Sequence, residues 1–296
     1  MPAFWHWFVA AGTILFVLWC VWLIAWSAKH GPQNVADDQV VGHKWDGDLE
    51  EWNNPAPKWW LYLYFITIAW AIGYLIAFPG LGAWDGALGW SQEGQYEAET
   101  QAAATRYEPI YDKFAAMDFA ELSMNPDANK LGKSLYASYC TTCHGSDARG
   151  ATGYPNLTDN DWLWGSSEAA ITSTLKNGRN GVMPAFAPAL GGEPGVDNMI
   201  KYVQSLSGLV EADAASESAK PMFVALCSAC HTAEGTGNQA VGAPNLTDDI
   251  WLYGSSADSI RTGLEQGRNN MMPAHGELLG ENRTKILAAY VYSLSQ

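Results

Sequence analysis

Basic residues are scarce. The chain has 16 Lys plus Arg against 31 Asp plus Glu in 296 residues, a formal charge of −15. That excludes nucleic acid as a natural partner, because phosphate binding needs a basic face. Cysteine is scarce too. Four of the five form two pairs, Cys140 with Cys143 and Cys227 with Cys230, and Cys20 stands alone in an apolar run. Four cysteines in a chain this long do not make a disulfide-stapled scaffold. Formal charge is missing altogether from two stretches, residues 3–28 and 59–84, each of 26 residues. Tryptophan is plentiful by contrast. Many of the 15 lie in or beside these stretches, where membrane-interface aromatics are expected.

About 20 helical residues cross a hydrocarbon core of roughly 30 Å, so both stretches are long enough to span. A soluble core helix competes for each, but the length and the Trp-rich ends oppose it. A cleaved signal peptide competes for the first. That stretch lacks a basic start and is too long for a signal, so it reads as a retained anchor. Lys29, Lys44 and Lys58 lie between the stretches, and residues 1–28 and 80–105 hold no Lys or Arg. The positive-inside tendency then puts residues 29–58 in the cytoplasm and both termini outside. His6, in "FWHWF", reads as an interfacial polar residue or a contact to a partner helix. Cys20 reads as a small packing residue.

Beyond about residue 125 the sequence repeats. C-x-x-C-H, P-N-L-T-D, W-L-(W/Y)-G-S-S, G-R-N and M-P recur in that order. The distance is 43 residues from Cys140 to Met183 and 45 from Cys227 to Met272. The extra two fall between the His and P-N-L-T-D, where a loop tolerates them. Amphipathic helical spacing flanks each motif, in "NKLGKSLYASY" and "AKPMFVAL" before it and in "NMIKYVQSLSG" and "KILAAYVYSLSQ" at the end. Each unit of about 80 residues is small for an apolar core of its own.

C-x-x-C-H is the haem c attachment signature. The two thiols add to the porphyrin vinyl groups, and the following His becomes an axial ligand while its other nitrogen donates to a carbonyl. A Met thioether completes the coordination and raises the potential. A four-cysteine zinc site leaves both His residues and both Met-Pro motifs unexplained. A thioredoxin-type dithiol needs a βαβ setting. The spacing therefore assigns one haem c to Cys140, Cys143, His144 and Met183, and a second to Cys227, Cys230, His231 and Met272. Met271 and His275 are rival ligands, and the alignment "GVMPAF" to "NMMPAH" selects Met272. Arg179 and Arg268, in register, are candidate partners of haem propionates or ordinary surface arginines. "NLT" at 156–158 and 245–247 fits a glycosylation sequon, and its place inside the repeat explains its recurrence without sugar.

Two such units on a membrane anchor, with "GHKWDGDLEEWNNPAPKWW" at residues 42–60 followed by "FPGLGAW", resemble the dihaem subunit family (CcoP, also called FixP) of cbb3-type cytochrome c oxidase. The resemblance implies a mainly α chain with two transmembrane helices and two tandem class I cytochrome c domains. It divides as 1–28 first membrane helix, 29–58 cytoplasmic loop, 59–84 second membrane helix, 85–125 periplasmic linker, and 126–208 and 209–296 haem domains. It carries the Met and His ligands over by position. It also carries Pro155 and Pro244, whose carbonyls in class I cytochromes accept from the ligand His. It implies electrons passing from a soluble or membrane-bound cytochrome c to a monohaem c subunit, then to a haem b–copper subunit that reduces oxygen to water. It implies a bacterial inner-membrane protein with periplasmic haem domains, which is not an enzyme by itself. The first membrane stretch is extra relative to some members. From residue 101 on there are 13 Lys plus Arg and 21 Asp plus Glu, a surface suited to a basic donor whose association rate falls with salt. A free-standing dihaem carrier shares everything except residues 42–60. A dihaem peroxidase needs one iron able to lose its sixth ligand, which two matching Met-Pro motifs oppose.

Overall fold

The computed structural model describes residues 2–29, 39–52 and 57–296, apart from the His43 side chain. The expectations for residues 30–38 and 53–56 of the cytoplasmic loop lie outside these, including the N-N-P step of the 42–60 segment. The chain divides into Met1–Thr105 and Arg106–Gln296.

In the first unit, α1 (Ala3–Lys29) and α2 (Lys58–Ala77) are long and apolar enough to cross a membrane. Only Ala10 is buried between them. Apolar side chains left outward on both helices suit hydrocarbon, where a helix satisfies its own backbone. The expected second helix, 59–84, stops at Ala77 because Phe78, which precedes Pro79, is extended at φ −118°, ψ 160°. The loop beyond folds back, with the Leu88 N–H donating to Ala77 O at 3.0 Å. The His6 Nδ1 accepts from the Ala83 N–H at 2.8 Å, which ties the start of α1 to the turn after α2. Between the helices, β1 (Val40–Trp45) and β2 (Leu49–Trp52) form an antiparallel hairpin with Trp45 opposite Leu49. Lys44 and Glu50 pair there at 2.8 Å. Residues 92–115, expected as part of a linker, are helix α3 (Gln92–Ala115), whose residues from Arg106 belong to the second unit.

The second unit continues with α4 (Phe119–Met124), α5 (Pro126–Tyr139), α6 (Thr141–His144), α7 (Glu168–Asn177), β3 (Arg179–Met183) and α8 (Glu193–Leu206). The second repeat supplies α9 (Ala214–Leu226), α10 (Ser228–His231), α11 (Ala257–Gln266), β4 (Arg268–Met272) and α12 (Gly276–Ser293). Local sequence explains the helix starts. Asn125 caps α5, with Pro126 at the position where a missing N–H costs nothing. Asp213 and Ser216 make a reciprocal capping box on α9. In each W-L-x-G-S-S, the second serine caps the next helix, Ser167 for α7 and Ser256 for α11.

The two repeats exchange their closing helices. α8 lies against α9 and α11, and α12 lies against α5, α7 and α4. One core joins Val196, Met199 and Val203 of α8 to Phe223, Cys227 and Leu264 of the second repeat. The other joins Leu135, Tyr136, Ile171 and Leu175 of the first repeat to Leu279, Leu287 and Val291 of α12. A third, smaller core packs Ile286 and Ala289 on Phe114, Leu122 and Ala128. Gly132 permits the α5–α12 crossing, since a Cβ there would lie 2.3 Å from Tyr290 Cβ. The crossover runs through β3 and β4, an antiparallel pair in which Arg179 faces Met272 and Met183 faces Arg268. The expected boundary between haem domains at 208/209 therefore separates the repeats in sequence but not in space. Residues 106–296 fold as one unit.

Candidate functional site

Each Cys pair and its His share one helical turn. The His144 N–H donates to Cys140 O at 3.0 Å and the His231 N–H to Cys227 O at 2.9 Å. All four cysteines are free thiols. Burial pushes the Cys140 and Cys227 thiols up to about 11. They are neutral before any thioether forms.

The two imidazoles are held alike. His144 Nδ1 lies 3.0 Å from Pro155 O, and His231 Nδ1 lies 3.0 Å from Pro244 O. A carbonyl only accepts, so Nδ1 carries the hydrogen and Nε2 keeps its lone pair. Burial also lowers the His231 pKa, the Pro244 bond opposing it more weakly, and this keeps that ring neutral as a metal ligand requires.

β3 and β4 aim the thioethers. Alternation along the strands turns Met183 and Met272 inward and leaves Val182 and Met271 outward at 61% and 76% exposure. Met271 is thus largely exposed, whereas Met272 packs against the apolar core. His275 Nδ1 bonds the carbonyl of Pro273 at 2.9 Å.

The pairing of Met with Cys-Cys-His inferred from spacing does not hold in this fold. Met183 packs in the core that contains Cys227, and Met272 packs in the core that contains Cys140. Backbone bonds fix the exchange. Phe186 and Ala187 donate to Leu264 O at 2.8 and 3.0 Å, and His275 donates to Leu175 O at 2.8 Å. Gly178 and Gly267 allow it, each in the left-handed region (φ +69° and +74°). A Cβ would lie 2.3 Å from Met272 O at the first and 2.5 Å from Met183 O at the second. The residues expected to act together are thus brought together in two groups, with the methionines traded.

A single cavity of about 830 Å³ runs through both groups. Both His, both Met, both Pro and all four Cys line it. Arg179 and Arg268 line it too, and their anchoring is parallel. Arg179 Nε donates to Thr174 Oγ1 at 2.8 Å and its Nη2 to Ala170 O at 3.1 Å, and it stacks on Trp164. Arg268 Nη2 donates to Ser259 O at 2.7 Å and it stacks on Tyr253. Neither has an ion-pair partner among the described residues. Trp164 and Tyr253 were not singled out from the sequence. Their signal was the one variable position inside W-L-(W/Y)-G-S-S. Trp251 was also missed. Its Nε1–H is buried without a partner in the cavity wall.

These residues fit haem c. Two thiols and an imidazole on one turn face an inward thioether across an apolar cavity. Two unpaired guanidiniums and an orphaned indole N–H stand ready for anionic carboxylates. The two Cys pairs fall in separate cores, and no cluster of three or more His, Cys, Asp or Glu suited to a metal ion occurs among the described residues.

Comparison with known proteins gives the same reading. Residues 37–85 match the N-terminal domain of cytochrome oxidase-cbb3, FixP. Residues 127–203 and 214–291 each match cytochrome C oxidase, cbb3-type, subunit III. The chain is 42% identical over 292 residues to the cbb3-type cytochrome c oxidase subunit CcoP of Rubrivivax gelatinosus, covering 99% of this chain and 95% of that one. It is 36% identical to subunit FixP of Azorhizobium caulinodans, over 90% of this chain and 97% of that one. It is 35% identical to subunit CcoP of Cereibacter sphaeroides, over 90% and 98%. The two long apolar helices, the duplicated C-x-x-C-H motifs and these matches together make the chain a member of the CcoP/FixP family of cbb3-type cytochrome c oxidase subunits.

Proposed function

We propose that this chain is the dihaem electron-entry subunit of a membrane oxidase, and that its two haem sites are built across the repeats. The first site comprises Cys140, Cys143, His144 and Met272. The second comprises Cys227, Cys230, His231 and Met183. The observation that carries this is the cavity lined at once by both C-x-x-C-H turns and both inward methionines. Bound haem would supply a one-electron carrier there, suited to outer-sphere transfer.

The protein residues do the rest. Cys140, Cys143, Cys227 and Cys230 fix the rings. The Pro155 and Pro244 carbonyls orient the imidazoles and fix their tautomer. Arg179 and Arg268 neutralise propionate charge. Ligands from opposite repeats hold both sites in one rigid unit, so the separation between them does not vary with an interdomain hinge.

Electrons enter from a basic soluble or membrane-bound cytochrome c and leave to a monohaem c subunit and a haem b–copper subunit. The chain sits in a bacterial inner membrane with residues 29–58 cytoplasmic and the haem unit periplasmic, as the lysine distribution and the attachment chemistry both favour. Residues 42–60 dock against partner subunits.

Denaturing the purified chain and counting retained haem tests this. Two covalent haems per chain are expected, and one after Cys140→Ala with Cys143→Ala. Haem that washes out on denaturation, or a count unchanged by the double substitution, contradicts it.

A further inference from the structure

We propose that Asp161 sets the potential of the first haem site below that of the second and makes that potential fall as pH rises. The inference rests on the dihaem reading above.

The two cavity walls are close copies. From Pro155 and from Pro244 they run P-N-L-T-D-N-D-W-L-W-G and P-N-L-T-D-D-I-W-L-Y-G. Three positions differ. Asn160 and Asp249 are both exposed. Trp164 and Tyr253 both carry a stacked arginine. The remaining difference is Asp161 against Ile250, a carboxylate against a hydrocarbon at the same place in the repeat.

Asp161 is half-buried and faces the shared cavity. The next residue, Trp162, packs in the core that holds Cys140 and Met272. Asp161 has no ion-pair partner among the described residues. The charged and titratable groups around it are Asp159 in its own loop and Asp248 in the opposing one. Arg149, Tyr154 and Tyr253 share with it a smaller cavity of about 320 Å³. Asp159 and Asp248 occupy equivalent positions and cannot distinguish the sites.

Burial raises the Asp161 pKa, and Asp248 and Asp159 raise it further. The group therefore titrates above its ordinary value. Below that window it is neutral and the two sites resemble each other. Above it, a half-buried negative charge stabilises the oxidised, more positive form of the nearer site and lowers its potential. Adding an electron there raises the Asp161 pKa in turn, which couples electron and proton binding.

The test is a redox titration of each haem over a pH series, in the full chain within its membrane complex. Single-haem chains (Cys140→Ala/Cys143→Ala or Cys227→Ala/Cys230→Ala) assign the sites. In the parent chain the first site should fall in potential with rising pH more steeply than the second. Asp161→Asn should flatten that slope. At high pH it should shift electron sharing towards the first site by about tenfold, the scale of a partly screened unit charge. Ile250→Asp should confer a slope on the second site. Asp161→Asn and Ile250→Asp chains that keep two covalent haems and the parent slopes overturn the proposal. A chain without covalent haem overturns the dihaem reading, and this proposal with it.

Discussion

Met183→Ala is expected to remove the sulfur ligand from the haem on Cys227 and Cys230, not from the haem on Cys140 and Cys143. The sequence distance favours the opposite, but Met183 lies in the core with Cys227. The cleanest form uses a chain whose first attachment pair is Cys140→Ala/Cys143→Ala, so that one haem remains. There, Met183→Ala should abolish the thioether–iron absorption and lower the potential, since a soft ligand that favours Fe(II) is gone. Met272→Ala in the same chain should leave both unchanged. The reciprocal pair, made on Cys227→Ala/Cys230→Ala, should give the reverse. Optical spectra and potentiometry read the result. Same-repeat ligation would show each substitution acting on the haem of its own motif.

Leu287→Ala should cost about 2–5 kcal/mol of stability in the 106–296 unit, the range for truncating a fully buried leucine. Leu287 is 0% exposed, in the core with Leu135, Tyr136 and Ile171 of the first repeat. The damage should therefore fall on the first site, although Leu287 belongs to the second repeat in sequence. In denaturant titration the spectrum of the Cys140 haem should change before that of the Cys227 haem. Val203→Ala, a smaller truncation in α8, should weaken the second site instead. A spectral change at the Cys227 haem first in Leu287→Ala would mean that each repeat closes on its own helix.

Much of this was legible in the sequence. Charge-free length marked α1 and α2, and C-x-x-C-H marked the two turns that carry the cysteines and histidines. What was not legible is the exchange. The repeats are so alike that each closing helix suits either core, and spacing along the chain cannot choose between them. The connection chooses. α8 ends at Leu206 and α9 starts at Ala214, too short a link to carry α9 round to the far side of the first repeat. A short link makes neighbouring helices pack as a hairpin, which leaves α5 for α12. The β3–β4 ribbon was hidden for a related reason, since strand pairing between copies of one motif leaves no periodic signal in either. The α3 helix was missed because its residues are polar on most faces, and its anchoring comes late. Arg283 pairs with Glu108, and Lys285 Nζ donates to Ala115 O and Met117 O at 2.9 and 2.8 Å. His6 gave too little context for its bond to the Ala83 N–H to be foreseen across 77 residues.

Residues 37–85, which hold the hairpin around Trp45 and Leu49, match the N-terminal domain of cytochrome oxidase-cbb3, FixP. The 127–203 and 214–291 matches concern electron carriage. The measurement that joins them is native separation of gently solubilised membranes, stained for haem and assayed in the band for oxygen uptake with reduced cytochrome c. The account predicts that this chain migrates with a haem b–copper subunit in a band that consumes oxygen. A chain that runs alone with its two covalent haems, apart from all oxygen uptake, would contradict the oxidase role and leave a free-standing membrane carrier.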